Sequence, residues 1–225
     1  MPGLGYFWPV RHGYTNRTER VGASVTKRYL GPDRLQRARA ERTALTALAG
    51  LLPVPPVLRV EQDLLVTGFV PGEHGQDRID AGHAEPVLAA CGALLRRVHG
   101  LAPQLLGGDA GPDPIRHGDF GPNNVLFGPG GEVSAVLDWE FSGTGPPILD
   151  LAWCEWIVRM HHRPAIEALP ALFAGYGSQP AWPERQAAMV SRCRQLQEFT
   201  RRWDPAGAGV RVWAERAVAT GARTE

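Results

Sequence analysis

The sequence predicts an α+β fold of two lobes, in which a small strand-rich lobe precedes a larger, mostly helical lobe. Three observations lead to this prediction. Short alternating segments separated by turn residues fill the chain up to Val70. Helical spacing of apolar residues dominates the remainder. A Pro/Gly-rich stretch, Pro71–Gly75, lies between the two regions, and we therefore expect lobes at residues 1–71 and 72–225.

The elements of the first lobe follow from its alternation and its turns. Arg17–Leu30 is typical of two short strands that turn at Gly22. Asp33 is a candidate N-cap for a helix over Leu35–Leu51. The lobe is completed by another pair of predicted strands: Val57–Val60 and Leu64–Val70.

The second lobe is predicted mainly from helical periodicity. Apolar residues recur at helical spacing from Val87 to Val98, and Gly100 follows as a stop signal. A small hairpin is then predicted from two apolar runs: Val125–Phe127 and Val133–Leu137. Later helices are expected to start near Asp150, Pro164 and Pro183, with breaks at Gly175, Gly177 and Pro205.

The composition disfavours several classes of protein. The 225 residues carry 24 basic and 23 acidic side chains, and a net charge of +1 gives no general attraction to nucleic acid or anionic membrane. Three separated cysteines without a CxxC pair indicate reduced thiols rather than a disulfide framework or a zinc site. The longest apolar run falls short of the roughly 20 residues of a membrane span. We expect a cytoplasmic monomer or homodimer that binds a small molecule and has no nucleic acid or membrane partner.

Two acidic motifs follow one another in the second lobe. His117-Gly-Asp119-Phe-Gly-Pro-Asn-Asn124 places an aspartate five residues before an asparagine, on a Gly/Pro loop ahead of a strand. Asp138 follows the next predicted strand. Two carboxylates and one amide oxygen near a single point are hard ligands of the kind that Mg²⁺ prefers. The motifs therefore predict a magnesium site that is suited to phosphoryl transfer.

A lysine–glutamate pair is predicted in the first lobe. Lys27 is the only lysine among the 24 basic residues, which indicates either a need for a compact ammonium or a bias of the chain toward arginine. Glu41 shares an apolar helical stripe with Leu45 and Leu48, so it points inward and needs a partner. The nearby strand offers Lys27 as that partner.

These residues together resemble the aminoglycoside phosphotransferase and choline kinase-like family, whose fold is related to that of protein kinases. His117–Asn124 resembles the catalytic loop of the family, and Asp138-Trp139-Glu140 resembles its metal-binding segment. Gly13–Arg17 resembles the turn that covers the phosphates, and Val66–Gly72 resembles the hinge. The resemblance implies a five-stranded antiparallel N-lobe and a helical C-lobe around a nucleotide cleft.

The resemblance also implies the roles of single residues. The cofactors would be ATP, or GTP, with Mg²⁺, and the reaction would be phosphorylation of a hydroxyl on a small molecule. Asp119 would be the catalytic residue, and the metal would be held by Asn124 and Asp138. The nucleotide would be bound by Thr15, Asn16, Lys27, Glu41, Gly68 and Val70.

Several neighbouring residues are given structural roles. His117 is expected to pack and to form hydrogen bonds rather than to act as an acid or base. Asp150 is either a helix N-cap or a support for the catalytic loop. Glu140 is expected either to support the metal ligands or to be solvated.

Two other functions and the acceptor stay open at this stage. A nucleotide-binding regulator without turnover, a pseudokinase, would keep the fold, and a protein kinase would need a longer segment between Asp138 and Asp150. The acceptor could be an antibiotic such as an aminoglycoside, or a hydroxylated metabolite. Arginines outnumber acids after Leu151, which favours a neutral or anionic acceptor because polycations prefer acidic pockets.

Overall fold

The computed structural model describes residues 8–9, 16–107 and 111–225, and it confirms the two-part α+β architecture. The first part is a five-stranded sheet made of β1 Trp8–Pro9, β2 Asn16–Val21, β3 Ser24–Tyr29, β4 Val57–Val60 and β5 Leu64–Gly68. The strand order is β1-β2-β3-β5-β4, and every pairing is antiparallel. The central strand β3 carries Lys27, which pairs with Leu65 of β5.

The helix α1, Arg34–Leu48, packs beside this sheet and corrects two details of the prediction. Asp33 precedes the helix but does not cap it with its side chain, because its backbone is left-handed (φ 55°) and its carboxylate pairs with Arg202 at 2.7 Å. The helix stops at Leu48 rather than Leu51, and Gly50 has a left-handed φ of 78° that turns the chain away.

The second part is mostly helical. Its helices are α2 Gly75–Asp80, α3 Ala84–His99, α4 Ile148–His161, α5 Leu169–Tyr176, α6 Trp182–Trp203 and α7 Ala208–Gly221. Short strands support the loops between them: β6 Glu73–His74, β7 Ile115–Arg116, β8 Val125–Phe127, β9 Val133–Val136 and β10 Gly143–Thr144. The predicted hairpin is therefore confirmed, with β9 one residue shorter than expected.

Two predicted helix signals of this part were wrong. Asp150 is not an N-cap, because α4 begins at Ile148 and the carboxylate lies inside the first turn. Gly175 is not a break, because it lies within α5, where a Cβ would come 2.2 Å from the carbonyl oxygen of Ala89 on α3. Gly92 makes the reciprocal close approach, 2.0 Å from Leu172 O. Glycines thus permit the tight packing of α3 on α5.

The core of the helical part extends in two directions from α4. One side packs on α3 and α5, and it continues to α1 and β3 through Leu48 and Tyr29. The other side packs on α6 and α7, with Trp153 and Trp156 at its centre. Because residues of α4 belong to both clusters, the turns of this helix are held rigidly in place.

Two further observations concern the cysteines and the character of the helices. The three cysteines are buried and free. Within the described ranges, no helix combines the length and the apolar character needed to span a bilayer.

Candidate functional site

The loop His117–Asn124 is fixed by the buried carboxylate of Asp150. The backbone N–H groups of His117 and Gly118 donate to its two oxygens at 2.6 and 2.8 Å. His99 Nε2 lies 3.3 Å from the same carboxylate. Burial raises the pKa of Asp150, but the hydrogen bonds from the histidines outweigh burial and lower the pKa below its usual value. Asp150 therefore supports the loop as an ionised group.

His117 has the structural role that was expected. Its Nδ1 accepts a hydrogen bond from the Asp119 N–H at 3.2 Å, and its Nε2 donates to Leu137 O at 2.9 Å. Both ring nitrogens are thus used, and the fully buried ring packs on Trp139 with centroids 4.5 Å apart. Gly118 next to it has φ 85°, and a Cβ there would lie 2.1 Å from Phe141 O, so the loop requires glycine.

Asp119 points its carboxylate into a cavity and is only partly covered. Its Oδ1 accepts a hydrogen bond from Trp153 Nε1 at 2.8 Å, which holds the carboxylate against α4. Arg192 Nη2 on α6 lies 3.6 Å from the same oxygen. About a quarter of the side chain, 27%, is exposed. The second oxygen, Oδ2, is therefore the one open to a ligand.

Asn124 and Asp138 lie on neighbouring backbone segments that border the same cavity. Leu137 N–H donates to Asn124 O at 2.8 Å, which places Asp138 beside the asparagine. The Asn124 amide donates its own N–H to Asp119 O at 2.8 Å. Since an amide has one oxygen and one NH₂ group, this bond leaves the Asn124 Oδ1 as an acceptor for a cation. This donor set suits Mg²⁺.

The predicted Lys27–Glu41 pair is present and belongs to a larger cluster. Lys27 Nζ lies 2.6 Å from Glu41 Oε2, 2.5 Å from Asp138 Oδ1 and 3.5 Å from Glu140 Oε2. Tyr29 donates its hydroxyl hydrogen to Glu41 Oε2 at 2.6 Å. Oxygens of the three carboxylates lie within 4.8 Å of one another, so this group too could bind a cation. Lys27 contacts all three carboxylates, and Arg37 supplies a second counter-charge to Glu140 at 2.9 Å.

The pKa values in this cluster follow from burial and from the close charges. Burial lowers the pKa of Lys27, but Asp138, Glu41 and Glu140 together raise it well above its usual value. Burial raises the pKa of Asp138, and Lys27 brings it below its usual value. The two residues therefore form an ion pair at neutral pH.

The burial of Glu140 excludes the solvated alternative and leaves the expected supporting role. The residue is 2% exposed rather than solvated, and it bonds Arg37 Nη1 at 2.9 Å and Asn16 Nδ2 at 2.7 Å. Burial, and next the neighbouring Asp138, raise its pKa to about 7. Arg37 lies four residues before Glu41, so the sequence places both on one face of α1 without indicating that Arg37 pairs with Glu140.

The predicted nucleotide-binding residues differ in which of their groups are available to a ligand in the cavity. Asn16, Gly68 and Val70 line the cavity, whereas Thr15 lies outside the described residues. The Gly68 N–H is already donated to Pro56 O at 2.8 Å, which leaves only its carbonyl for a ligand. In the described chain, Val70 makes no backbone hydrogen bond, so both of its main-chain groups are available.

One cavity of about 900 Å³ is lined by the predicted hinge residues, the lysine, the catalytic aspartate and the two metal-ligand positions. It runs from the hinge residues of the sheet lobe, past Lys27 and Asp138, to Asp119 and then to a wall of α4 and α7. Sequence reasoning had assigned no site role to Arg37, Trp153 and Arg192, because each belongs to a different helix. The arrangement can hold a polyphosphate at one end and a second ligand beside Asp119 at the other.

Comparison with known proteins supports the resemblance. Residues 108–188 match the sequence model of the phosphotransferase enzyme family, and this segment contains Asp119, Asn124 and Asp138. A 46-residue segment, 20% of the chain, is 48% identical to acyl-CoA dehydrogenase family member 11 of Gallus gallus. That match covers only 6% of the chicken protein.

Solved structures extend the likeness to nearly the whole fold. A choline/ethanolamine kinase family protein from Mesorhizobium loti aligns over 97% of this chain and 89% of its own, with a TM-score of 0.67 and 19% identity. The GDP complex of wild-type aminoglycoside 2'-phosphotransferase-IIIa aligns over 98% and 94%, with a TM-score of 0.77 and 10% identity. A macrolide 2'-phosphotransferase from Brachybacterium faecium aligns over 97% and 93%, with a TM-score of 0.59 and 19% identity. The chain therefore has a segment that is similar to the phosphotransferase enzyme family and a fold that is similar to that of aminoglycoside phosphotransferases and choline/ethanolamine kinases.

Proposed function

We propose that this protein transfers the γ-phosphoryl group of ATP, or GTP, to a hydroxyl of a small molecule in a magnesium-dependent reaction. The observation that carries the proposal is the convergence of Asp119, Asn124 and Asp138 with Lys27 on one cavity. Structural neighbours of the same fold were solved with GDP or ADP, which supports nucleotide binding here. In this proposal the lobes comprise residues 1–71 and 72–225, and the nucleotide binds between them.

The nucleotide end of the cavity is assigned to the first lobe. Val70 offers a main-chain donor and acceptor to the base, and Gly68 offers its carbonyl. Lys27 contacts the phosphates that are not transferred, and Glu41 orients it at 2.6 Å. Asn16, at the start of β2, lines the cavity and is assigned to the phosphates, and the sequence motif assigns Thr15 to them as well. GTP is an equal candidate because main-chain contacts alone do not select the base.

Asn124 Oδ1 and the Asp138 carboxylate would hold Mg²⁺. The ion, when bound, neutralises charge on the phosphates, which is the main electrostatic requirement of phosphoryl transfer. Glu140 and Arg37 keep the Asp138 segment in place by their ion pair at 2.9 Å. A cation held by Asp138 would compete with Lys27 for this carboxylate and would leave the ammonium free for the phosphates.

Asp119 receives the acceptor. Its free Oδ2 accepts the hydrogen bond of the acceptor hydroxyl and takes its proton. The hydroxyl oxygen forms a bond to the γ-phosphorus as the bond from that phosphorus to the β-phosphate oxygen breaks, and the nucleoside diphosphate leaves. Trp153 fixes Oδ1 at 2.8 Å, so the base presents one oxygen in one direction.

The test uses radiolabelled ATP and Mg²⁺ with fractionated small molecules from a cell extract. Transfer of label to a small-molecule fraction by the wild type, lost in Asp119→Asn and Asp138→Asn, is the expected result. Asp113→Asn, an exposed loop aspartate, is the matched control and should keep full transfer. Nucleotide binding without transfer to any fraction would favour the regulatory pseudokinase, and label in protein would favour a protein kinase.

A further inference from the structure

The far end of the cavity, beyond Asp119, is built from tryptophans and positive charges. Trp153 stacks on Trp156 with ring centroids 4.4 Å apart and planes 9° apart. Trp213 of α7 lies against both rings, at 6.2 and 5.7 Å. Arg216, one turn later on α7, completes this wall. We call these four residues the acceptor wall.

The Arg216 guanidinium has no carboxylate partner in the part of the chain that the structure describes. Its Cζ lies 4.6 Å from the Trp213 centroid and 5.7 Å from the Trp156 centroid, and it borders the cavity. An arginine whose guanidinium lies over aromatic rings keeps its N–H groups available to bind an anion. The same contact also blocks the indole faces that a ligand cation would need.

Arg192 adds a second charge next to the reaction centre. It lies between the rings of Phe141 and Trp153, at 5.2 and 5.6 Å, and only 13% of its side chain is exposed. Its Nε and Nη2 are buried and form no hydrogen bond among the described residues. These two atoms make up the edge of a guanidinium that grips a carboxylate or phosphate with two bonds. Arg192 does not line the cavity, and its Nη2 faces Asp119 at 3.6 Å, so it adds positive charge beside the reaction centre without offering an open binding edge.

The acids of the cavity do not balance this end. Those that line it are Glu41, Asp119, Asp138 and Glu140, and all four belong to the catalytic centre. Asp80 lies 2.8 Å from His162 Nδ1 but does not line the cavity. The pKa of His161, beside Trp156, is lowered by burial and then by Arg216, which favours the neutral imidazole, so Arg216 supplies the positive charge here.

We propose that the acceptor is an alcohol that also carries a negative charge, a carboxylate or a phosphate, and that Arg216 selects it. The inference rests on the proposed phosphotransfer, and it specifies the acceptor of that reaction. The hydroxyl lies at Asp119 Oδ2, while the anionic group faces the Arg216 guanidinium. Polycationic acceptors are disfavoured, because they would place positive charge against Arg216, which has no carboxylate partner among the described residues.

Three probes of equal shape test the charge preference: para-hydroxymethyl benzoate, the corresponding benzamide and the corresponding benzylamine. Binding is measured by quenching of tryptophan fluorescence without nucleotide, and phosphorylation is measured with labelled ATP. We expect the benzoate to bind and react at least about tenfold better than the benzylamine, the ratio that about 1.4 kcal/mol of charge interaction gives. Arg216→Gln should bring this ratio toward one, Arg216→Glu should invert it, and Arg216→Lys should keep its direction.

The control is Arg211→Gln on the same helix, whose side chain is 78% exposed and outside the cavity. It should leave the ratio unchanged, and thermal melts confirm that each variant is folded. Equal or better binding of the benzylamine, an unchanged ratio in Arg216→Gln, or no binding of any probe would overturn the inference. The two readouts separate this outcome from failure of the proposed function. If the proposed function is wrong, the wild type will transfer no phosphoryl group from ATP, whichever probe binds best.

Discussion

Replacing Asp150 by asparagine tests how the catalytic loop is held. The carboxylate accepts two backbone N–H bonds, at 2.6 and 2.8 Å, and it lies 3.3 Å from His99 Nε2, in a site that is 1% exposed. An asparagine offers one oxygen and one NH₂ group, so one buried backbone donor would face another donor. An unsatisfied buried donor costs about 1–3 kcal/mol, and the loss of charge-assisted bonds adds to this cost.

The expected loss is about 3 kcal/mol, a large part of a typical stability of about 5–15 kcal/mol. For a chain of this size, about 2–4 °C of melting temperature corresponds to each kcal/mol, so Asp150→Asn should melt about 6–12 °C below the wild type. Thermal unfolding followed by circular dichroism at pH 7 measures the shift. Asp113→Asn, on an exposed loop, should melt with the wild type.

The pH dependence gives a second measure of the same carboxylate. The folded pKa of Asp150 is lowered, so its stabilisation is complete above the unfolded pKa of about 3.9 and is lost as pH falls through the folded pKa. The difference between wild type and Asp150→Asn should therefore narrow below about pH 4. A melting difference under 1 °C at pH 7, or one that stays constant down to about pH 3, would refute this account of the loop.

Three further changes probe the site and the packing around it. Lys27→Met should reduce stability by about 3–5 kcal/mol in chemical denaturation, since it leaves buried carboxylates without their counter-charge; an unchanged denaturation midpoint would contradict the cluster. Asn124→Ala should raise the Mg²⁺ concentration needed for half-maximal ATP turnover by about 10-fold or more, and chelation of metal should abolish turnover in wild type and variant alike. Gly175→Ala should destabilise by about 1–3 kcal/mol because its Cβ would lie 2.2 Å from Ala89 O, whereas Gly111→Ala, with no atom within 4 Å, should have little effect.

The sequence was sufficient to predict functional groups whose positions are set by residues close to them in the chain. Asp119 and Asn124 lie on one loop, and the amide of the second bonds the backbone of the first at 2.8 Å. Asp138 follows the hairpin that starts directly after Asn124, so a local motif also fixes its position. The Lys27–Glu41 pair was predictable because each is an exception in its surroundings, a single lysine and an inward-facing acid.

The remaining contacts depend on elements that are distant in sequence. Glu140 and Arg37 are 103 positions apart, and periodicity on α1 identifies a face but not its partner. Trp153 reaches Asp119 from α4, and Arg192 reaches it from α6, so both contacts depend on how three helices pack. Tertiary packing of this kind has no signature in residue spacing, which is why the wall beside Asp119 was missed.

The ammonium of Lys27 touches three carboxylates from two parts of the fold: Glu41 on α1, and Asp138 and Glu140 after β9. It serves as a resident counter-ion for a place where a divalent cation is expected. An incoming polyphosphate would draw this ammonium away, and Asp138 would then become a stronger ligand for the metal. Metal and nucleotide affinities should consequently rise together, and by linkage each must enhance the other by the same factor.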